Sequence, residues 1–181
     1  MDRSSLQALQ APLKDRYREE PEAAAITLRA EGRLGDEELS CSVQTGRALV
    51  EAGLHPATGG TGTLACSGDM LLQALVACAG VTLRAVATAL EVPVRAGTVR
   101  AEGDLDFRGT LGVSKEAPVG FTDIRLRFDL DTDADADQLA TLLRLTERYC
   151  VVYQTLVGGP AVTMDYAASA EGGREEPVGA G

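Results

Sequence analysis

The chain has 181 residues, 45% of them hydrophobic and 24% charged, with a net charge of −10. That length buries one core, and a charge so acidic, with no run of Lys or Arg, excludes a general nucleic-acid partner. The four cysteines show no C-x-x-C spacing and His55 is the single histidine, so neither a zinc site nor a bound cofactor is expected.

Residues 1–23 read as a polar extension punctuated by Pro12 and Pro21, with some helix around Leu6–Leu13. The opening "MDRSSLQALQ" lacks an apolar h-region, so no secretory signal is expected. A single domain is expected over residues 24–168. In it "AAAITLRAEGRL" and "EELSCSVQ" read as two strands about a turn at Gly32–Asp36. "AGLHPATGGTGTLACSG" reads as a loop, because Pro56, Gly59, Gly60, Gly62 and several threonines break any regular element.

Ser67 then suits an N-cap and Asp69 a first turn, opening a helix that runs to Leu90, before Pro93. Met70–Leu90 is also the one membrane-span candidate, but it carries Gln73, Thr82, Arg84 and Thr88. A central arginine costs about 2.5–3.5 kcal/mol in lipid, which favours a buried core helix and a soluble, cytoplasmic protein.

"RAGTVRAEGDLDFRG" and "GFTDIRLRFDLD" follow as strands, the second with Ile124, Leu126, Phe128 and Leu130 on one face. "DADADQLATLLRLTERYC" has helical spacing at Leu139, Leu142, Leu143 and Thr146. "VVYQTLVGG" is a short helix, "PAVTMDYAAS" a last strand and residues 169–181 a disordered tail. The fold class is α+β, a long buried central helix under a curved antiparallel sheet, and so apolar a helix calls for cover from a second subunit.

Cys78 sits in that helix on a stripe formed by Leu71, Ala74, Leu75, Val81, Thr82 and Ala85. It is too far from the helix start for the dipole to help, and desolvation raises a thiol's pKa, so reactivity at Cys78 requires a cation from elsewhere. Arg84 is six residues on, roughly 240° around the helix, and points away. Arg29, Arg33 and Arg47 of the N-terminal region remain. On periodicity alone an isolated cysteine in an apolar helix is more often a small hydrophobe than a nucleophile.

The wording around the cysteines carries more. "DMLLQALVACAGVTLRAVA" resembles the central-helix motif, and "LTERYCVVYQTL" the second-cysteine motif, of the OsmC/Ohr hydroperoxide reductases. The resemblance spans about residues 24–168. It implies an intertwined homodimer with its sites at the subunit interface, Cys78 peroxidatic and Cys150 resolving. It also implies a carboxylate, here Asp69, and an arginine, Arg33 first and Arg47 second, holding the thiolate. A cysteine sulfenic acid, a Cys78–Cys150 disulfide and reduction by an external dithiol of the lipoyl kind, free or on a lipoylated protein, complete the implied cycle. The apolar stripe suits an organic hydroperoxide. Two departures stand out: Val151 replaces the usual proline, and Asp69 is shorter than the usual glutamate.

Leu71, Leu75, Tyr149 and Tyr153 are candidate pocket residues. His55 is either a proton-transfer group or a loop-packing residue, and Cys66 either a third redox thiol or a small residue before the helix. Two other classes stay open: an apolar-ligand-binding dimer without turnover, and a thioesterase-like hydrolase using Asp69 and neither cysteine.

Overall fold

A computed structural model describes residues 2–25, 32–34, 40–44 and 49–166. The chain opens with helix α1 (Arg3–Glu19), where the Asp2 carboxylate accepts the Ser5 N–H and caps the first turn. The helix thus extends well beyond Leu6–Leu13, and Arg3 ties it to Glu91 at 2.8 Å.

Strands β1 (Gly32–Leu34), β2 (Ser40–Gln44), β3 (Leu49–Gly53) and β4 (Ala65–Cys66) form one sheet in that order. The first two pairings are antiparallel and the last is parallel. Two expectations need correction here. Gly32–Leu34 is strand and not part of a turn, and the stretch that reads as loop holds the end of β3, Ala52 and Gly53, and the whole of β4. The β3–β4 connection is tight at Gly60, where an added Cβ would lie 1.7 Å from the Leu54 carbonyl oxygen.

Helix α2 (Ser67–Leu90) follows at once. Its N-cap is Cys66 rather than Ser67, which is the first helical residue, and Cys66 makes no side-chain capping bond. Glu91, with φ +58, ends it in the left-handed conformation. One face carries Leu75, Ala79, Leu83, Val86 and Ala87 into the interior. Leu83, Val86 and Ala87 join Val92 and Leu142 as the core, with Phe128, Leu130 and Leu139 packed around them. The helix is not covered all round in the single chain: Val81, on the side away from that face, is 73% exposed, and Leu71 near its start 38%. By length and apolarity alone α2 qualifies as a membrane span.

Strands β5 (Val94–Leu105) and β6 (Phe121–Thr132) make a second, two-stranded antiparallel sheet joined through the short helix α3 (Phe107–Thr110). Alternation puts Ile124, Leu126 and Phe128 inward and charges outward, where Arg95 pairs with Asp131 and Arg125 with Asp104. Helix α4 (Ala136–Tyr149) starts from a capping box between Asp135 and Gln138. Its amphipathic spacing buries Leu142 and Thr146, and the short helix α5 (Val151–Gly158) follows after Cys150.

The expected last strand is not formed among the described residues. Pro160–Tyr166 has no regular pairing, and Val162, Met164 and Tyr166 are 88–96% exposed. The molecule is nonetheless α+β, with its sheet in two parts and α2 between β5, α4 and α5. The tail at 169–181 lies outside the described residues.

Candidate functional site

Two cysteines 72 residues apart in sequence meet where α5 packs on α2. Cys78 projects from the middle of α2, between buried Leu75 and Ala79. Cys150 is 1% exposed at the joint between α4 and α5, with extended backbone angles of φ −76 and ψ 108. Its N–H bonds the Thr146 carbonyl and closes α4, while its carbonyl accepts the Gln154 N–H and opens α5. Both thiols are free.

The acidities of the two thiols are pushed apart. Burial drives Cys78 upward and is the largest single effect. It is outweighed by the Val152 amide, the Cys150 thiol, the Val151 amide and the Thr82 hydroxyl, which face the sulfur and hold Cys78 below the ordinary thiol value. At Cys150 burial again pushes upward; the amides of Tyr153 and Val152 oppose it, but the neighbouring Cys78 adds to the rise. Cys78 is therefore the thiol that ionises first. The expectation that burial would dominate at Cys78 without a cation is corrected, because a second helix starts against its sulfur.

A cavity of about 530 Å³ flanks the pair. Phe121, Ile124, Leu126 and Phe128 of β6 form one wall, Leu143 and Glu147 of α4 another, and Tyr153, Leu156 and Val157 of α5 a third. Leu75, one turn before Cys78, and Tyr153, three residues after Cys150, connect it to the thiols, although neither sulfur lines it. Glu147 and the β6 residues were not picked out from the sequence. For Glu147 a signal existed, since it is the acid of "LTERYC". For β6 the inward alternation was visible, but nothing said that it faced open space.

The remaining sequence candidates are dispersed. Leu71, near the start of α2, is 38% exposed, and Tyr149 is 58% exposed beneath the Arg148 guanidinium, 5.6 Å from its ring centre; neither lines the cavity. Asp69 is exposed in the first turn of α2. Nine residues place it about 13 Å along the axis from Cys78 and on the opposite side. His55 caps the turn Pro56–Thr58, its Nδ1 accepting the Ala57 N–H and its ring stacked on Phe107 at 4.9 Å. That is a loop-packing role. Cys66 lies at the α2 N-cap, near Gly68 and not at the thiol pair. Arg84 is turned to the Val94 carbonyl. The backbone of Arg33 is in β1, while its side chain and the whole of Arg47 lie outside the described residues. Among the described residues no group of three or more His, Cys, Asp or Glu could hold a metal.

Comparison with known proteins bears on the family and the fold. The family model for OsmC-like proteins matches residues 60–165. Among solved structures, an OsmC-like protein from Mycoplasma pneumoniae superposes with a TM-score of 0.62 at 16% identity, over 74% of this chain and 89% of that one. An organic hydroperoxide resistance protein from Elizabethkingia anophelis gives 0.60 at 15% identity, over 75% and 91%. A Legionella pneumophila organic hydroperoxide resistance protein OsmC gives 0.58 at 17%, over 75% and 92%. No curated protein matches the chain. At these identities the structural likeness speaks for the fold.

Proposed function

The chain belongs to the OsmC-like protein family, and on that premise we propose that it is a cysteine peroxidase that reduces organic hydroperoxides to alcohols in oxidative-stress defence. The observation that carries this reading is the meeting of Cys78 and Cys150 with their acidities split in opposite directions. A peroxidase of this kind needs one thiolate to attack and one protonated thiol in reserve beside it.

The Cys78 thiolate attacks the distal oxygen of the hydroperoxide. The O–O bond breaks, the sulfur is oxidised to a sulfenic acid, and the alkoxide takes a proton and leaves as alcohol. Cys150 then loses its proton and attacks the Cys78 sulfur, releasing water and closing a disulfide. An external dithiol of the lipoyl type reduces that bond by exchange and is itself oxidised to its cyclic disulfide. The cavity against Leu75 receives the alkyl group, each buried CH₂ contributing about 0.8 kcal/mol.

The proposed assembly is a homodimer. Its contact surface is the uncovered part of α2 at Leu71 and Val81, together with the unpaired segment Pro160–Tyr166. The carboxylate and the arginine proposed for that assembly are Asp69 and Arg33, or Arg47; within one chain Asp69 lies on the opposite side of α2 from Cys78. A cytoplasmic setting, with its thiol reductants, suits the cycle.

The test is a thiol count before and after one equivalent of cumene hydroperoxide, with mass-spectrometric mapping of any disulfide. Loss of two thiols as a Cys78–Cys150 bond is expected. Cys78→Ser should abolish reduction, and Cys150→Ser should consume one equivalent, stall, and label with dimedone at Cys78. Full activity in Cys78→Ser would remove the peroxidase reading and leave an Asp69 hydrolase or a ligand-binding dimer.

A further inference from the structure

We propose that the cavity beside the two thiols selects its substrate by charge, admitting uncharged organic hydroperoxides and rejecting those that carry a carboxylate, with Glu147 as the determinant. The proposal deepens the function given above and rests on its reading that this cavity receives the alkyl group.

The lining divides by chemistry. Most of it is aliphatic or aromatic, from Leu75 on α2 through Phe121 and Phe128 on β6 to Leu143 on α4 and Leu156 on α5. Its two formal charges are both negative, Asp123 on the β6 wall and Glu147 on the α4 wall, and among the described residues no Lys, Arg or His joins them. A carboxylate brought into this space gives up water to apolar walls and finds carboxylates for neighbours, with no cation in the lining to offset either cost. An uncharged alkyl or aryl group meets neither penalty and gains from each carbon it buries. The net charge of −10 on the whole chain acts in the same direction.

The two acids differ in how far their charge is compensated. Asp123 meets the Arg125 guanidinium at 2.6 Å, but that cation also serves Asp104 at 2.5 Å and Glu102 at 3.6 Å. Three carboxylates on one guanidinium leave this edge of the cavity negative. At Glu147 the carbonyl is tied down, accepting the Gln154 side-chain amide at 2.8 Å across the joint between α4 and α5. Arg148, beside it in sequence, lies over the Tyr149 ring. Helical spacing places Glu147 one turn beyond Leu143, on the face of α4 that borders the cavity. Its charge is thus held on the wall, on the same joint that carries Cys150.

Three hydroperoxides of one shape test this: cumene hydroperoxide bearing a para methyl ester, a para carboxylate or a para trimethylammonium group. With wild type and a lipoyl dithiol, kcat/KM for the ester should exceed that for the carboxylate roughly tenfold at low ionic strength, the size of one partly screened charge contact, and the gap should narrow in high salt. The ammonium compound should be reduced faster than the carboxylate, which separates the sign of the charge from the general cost of burying an ion. Glu147→Gln keeps the shape, removes the charge and should lower the ester-to-carboxylate ratio several-fold; Glu147→Lys should bring it to one or below. Asp135→Ala, at the other end of α4, should leave the ratio as in wild type. A wild-type ratio near one, or an unchanged ratio in Glu147→Gln, overturns the proposal.

Binding of the three matching alcohols, followed by NMR shifts of the Leu75 and Leu143 methyls, reads the cavity without turnover. Ester binding with carboxylate exclusion, in a protein that reduces no peroxide, would keep the selectivity of the cavity and reject the peroxidase. Alcohols that leave those methyls unmoved would overturn this inference, while disulfide formation at Cys78 under cumene hydroperoxide would still uphold the peroxidase.

Discussion

Replacing Leu75 with alanine joins the stability of the core to the substrate preference of the site. The side chain is 2% exposed, lines the cavity and sits one turn before Cys78. Three carbons are removed, each worth about 0.8 kcal/mol in transfer from water, so about 2.4 kcal/mol is lost before any cavity effect. The neighbouring space is already open, so little collapse is available, and the total should reach roughly 3 kcal/mol. For a chain of this size that lowers Tm by about 6–12 °C. The same deletion widens the cavity, so the ratio of kcat/KM for cumene over tert-butyl hydroperoxide should rise several-fold while reaction at Cys78 persists. Thermal melts and steady-state assays with a lipoyl dithiol read both effects. A Tm within 2 °C of wild type would refute the packing argument. An unchanged substrate ratio in a folded variant would show that the alkyl group binds elsewhere.

Four further outcomes are expected. Asp135→Ala removes the capping box of α4 and should cost about 1 kcal/mol, read by urea unfolding, with no change in the Cys78 alkylation midpoint. The split thiols make stability depend on pH with a definite sign. Folded Cys78 ionises below the ordinary 9.0, so stability rises with pH from its folded-state value to 9.0. Folded Cys150 ionises above 9.0, so stability then falls as the unfolded thiol ionises first. The stability of wild type minus that of Cys78→Ser should therefore grow up to pH 9, and a flat difference would contradict the lowered Cys78. Arg33→Ala should slow peroxide reduction without unfolding the protein; if it and Arg47→Ala are both silent, no cation from the N-terminal region is needed. Sedimentation at micromolar concentration should give a dimer, and a monodisperse monomer would remove the interface role of α2.

Much of the chain follows from local chemistry that one sequence displays. The span of α2 up to Leu90, the alternation of Ile124 to Leu130 and the spacing of Leu139, Leu142 and Thr146 are each set by a period of 3.6 or 2 and by a breaker such as Pro93. The two cysteine motifs are legible for the same reason, as short runs whose wording is fixed by residues next to one another. What escaped depends on contacts between distant segments. Strand β3 is five residues long and stabilised by pairing with β2 and β4, so its own composition scarcely marks it. The segment Pro160–Tyr166 has the residues of a strand and no neighbour in the described chain to pair with. The state of Cys78 is the clearest case. Its own helix predicts a thiol made less acidic by burial, yet groups on a distant segment, the Val151 and Val152 amides and the Cys150 thiol among them, push it the other way. Burial acts through whatever lies around a group, but a hydrogen bond requires a particular donor at a particular place. Only the packing of α5 on α2 supplies it.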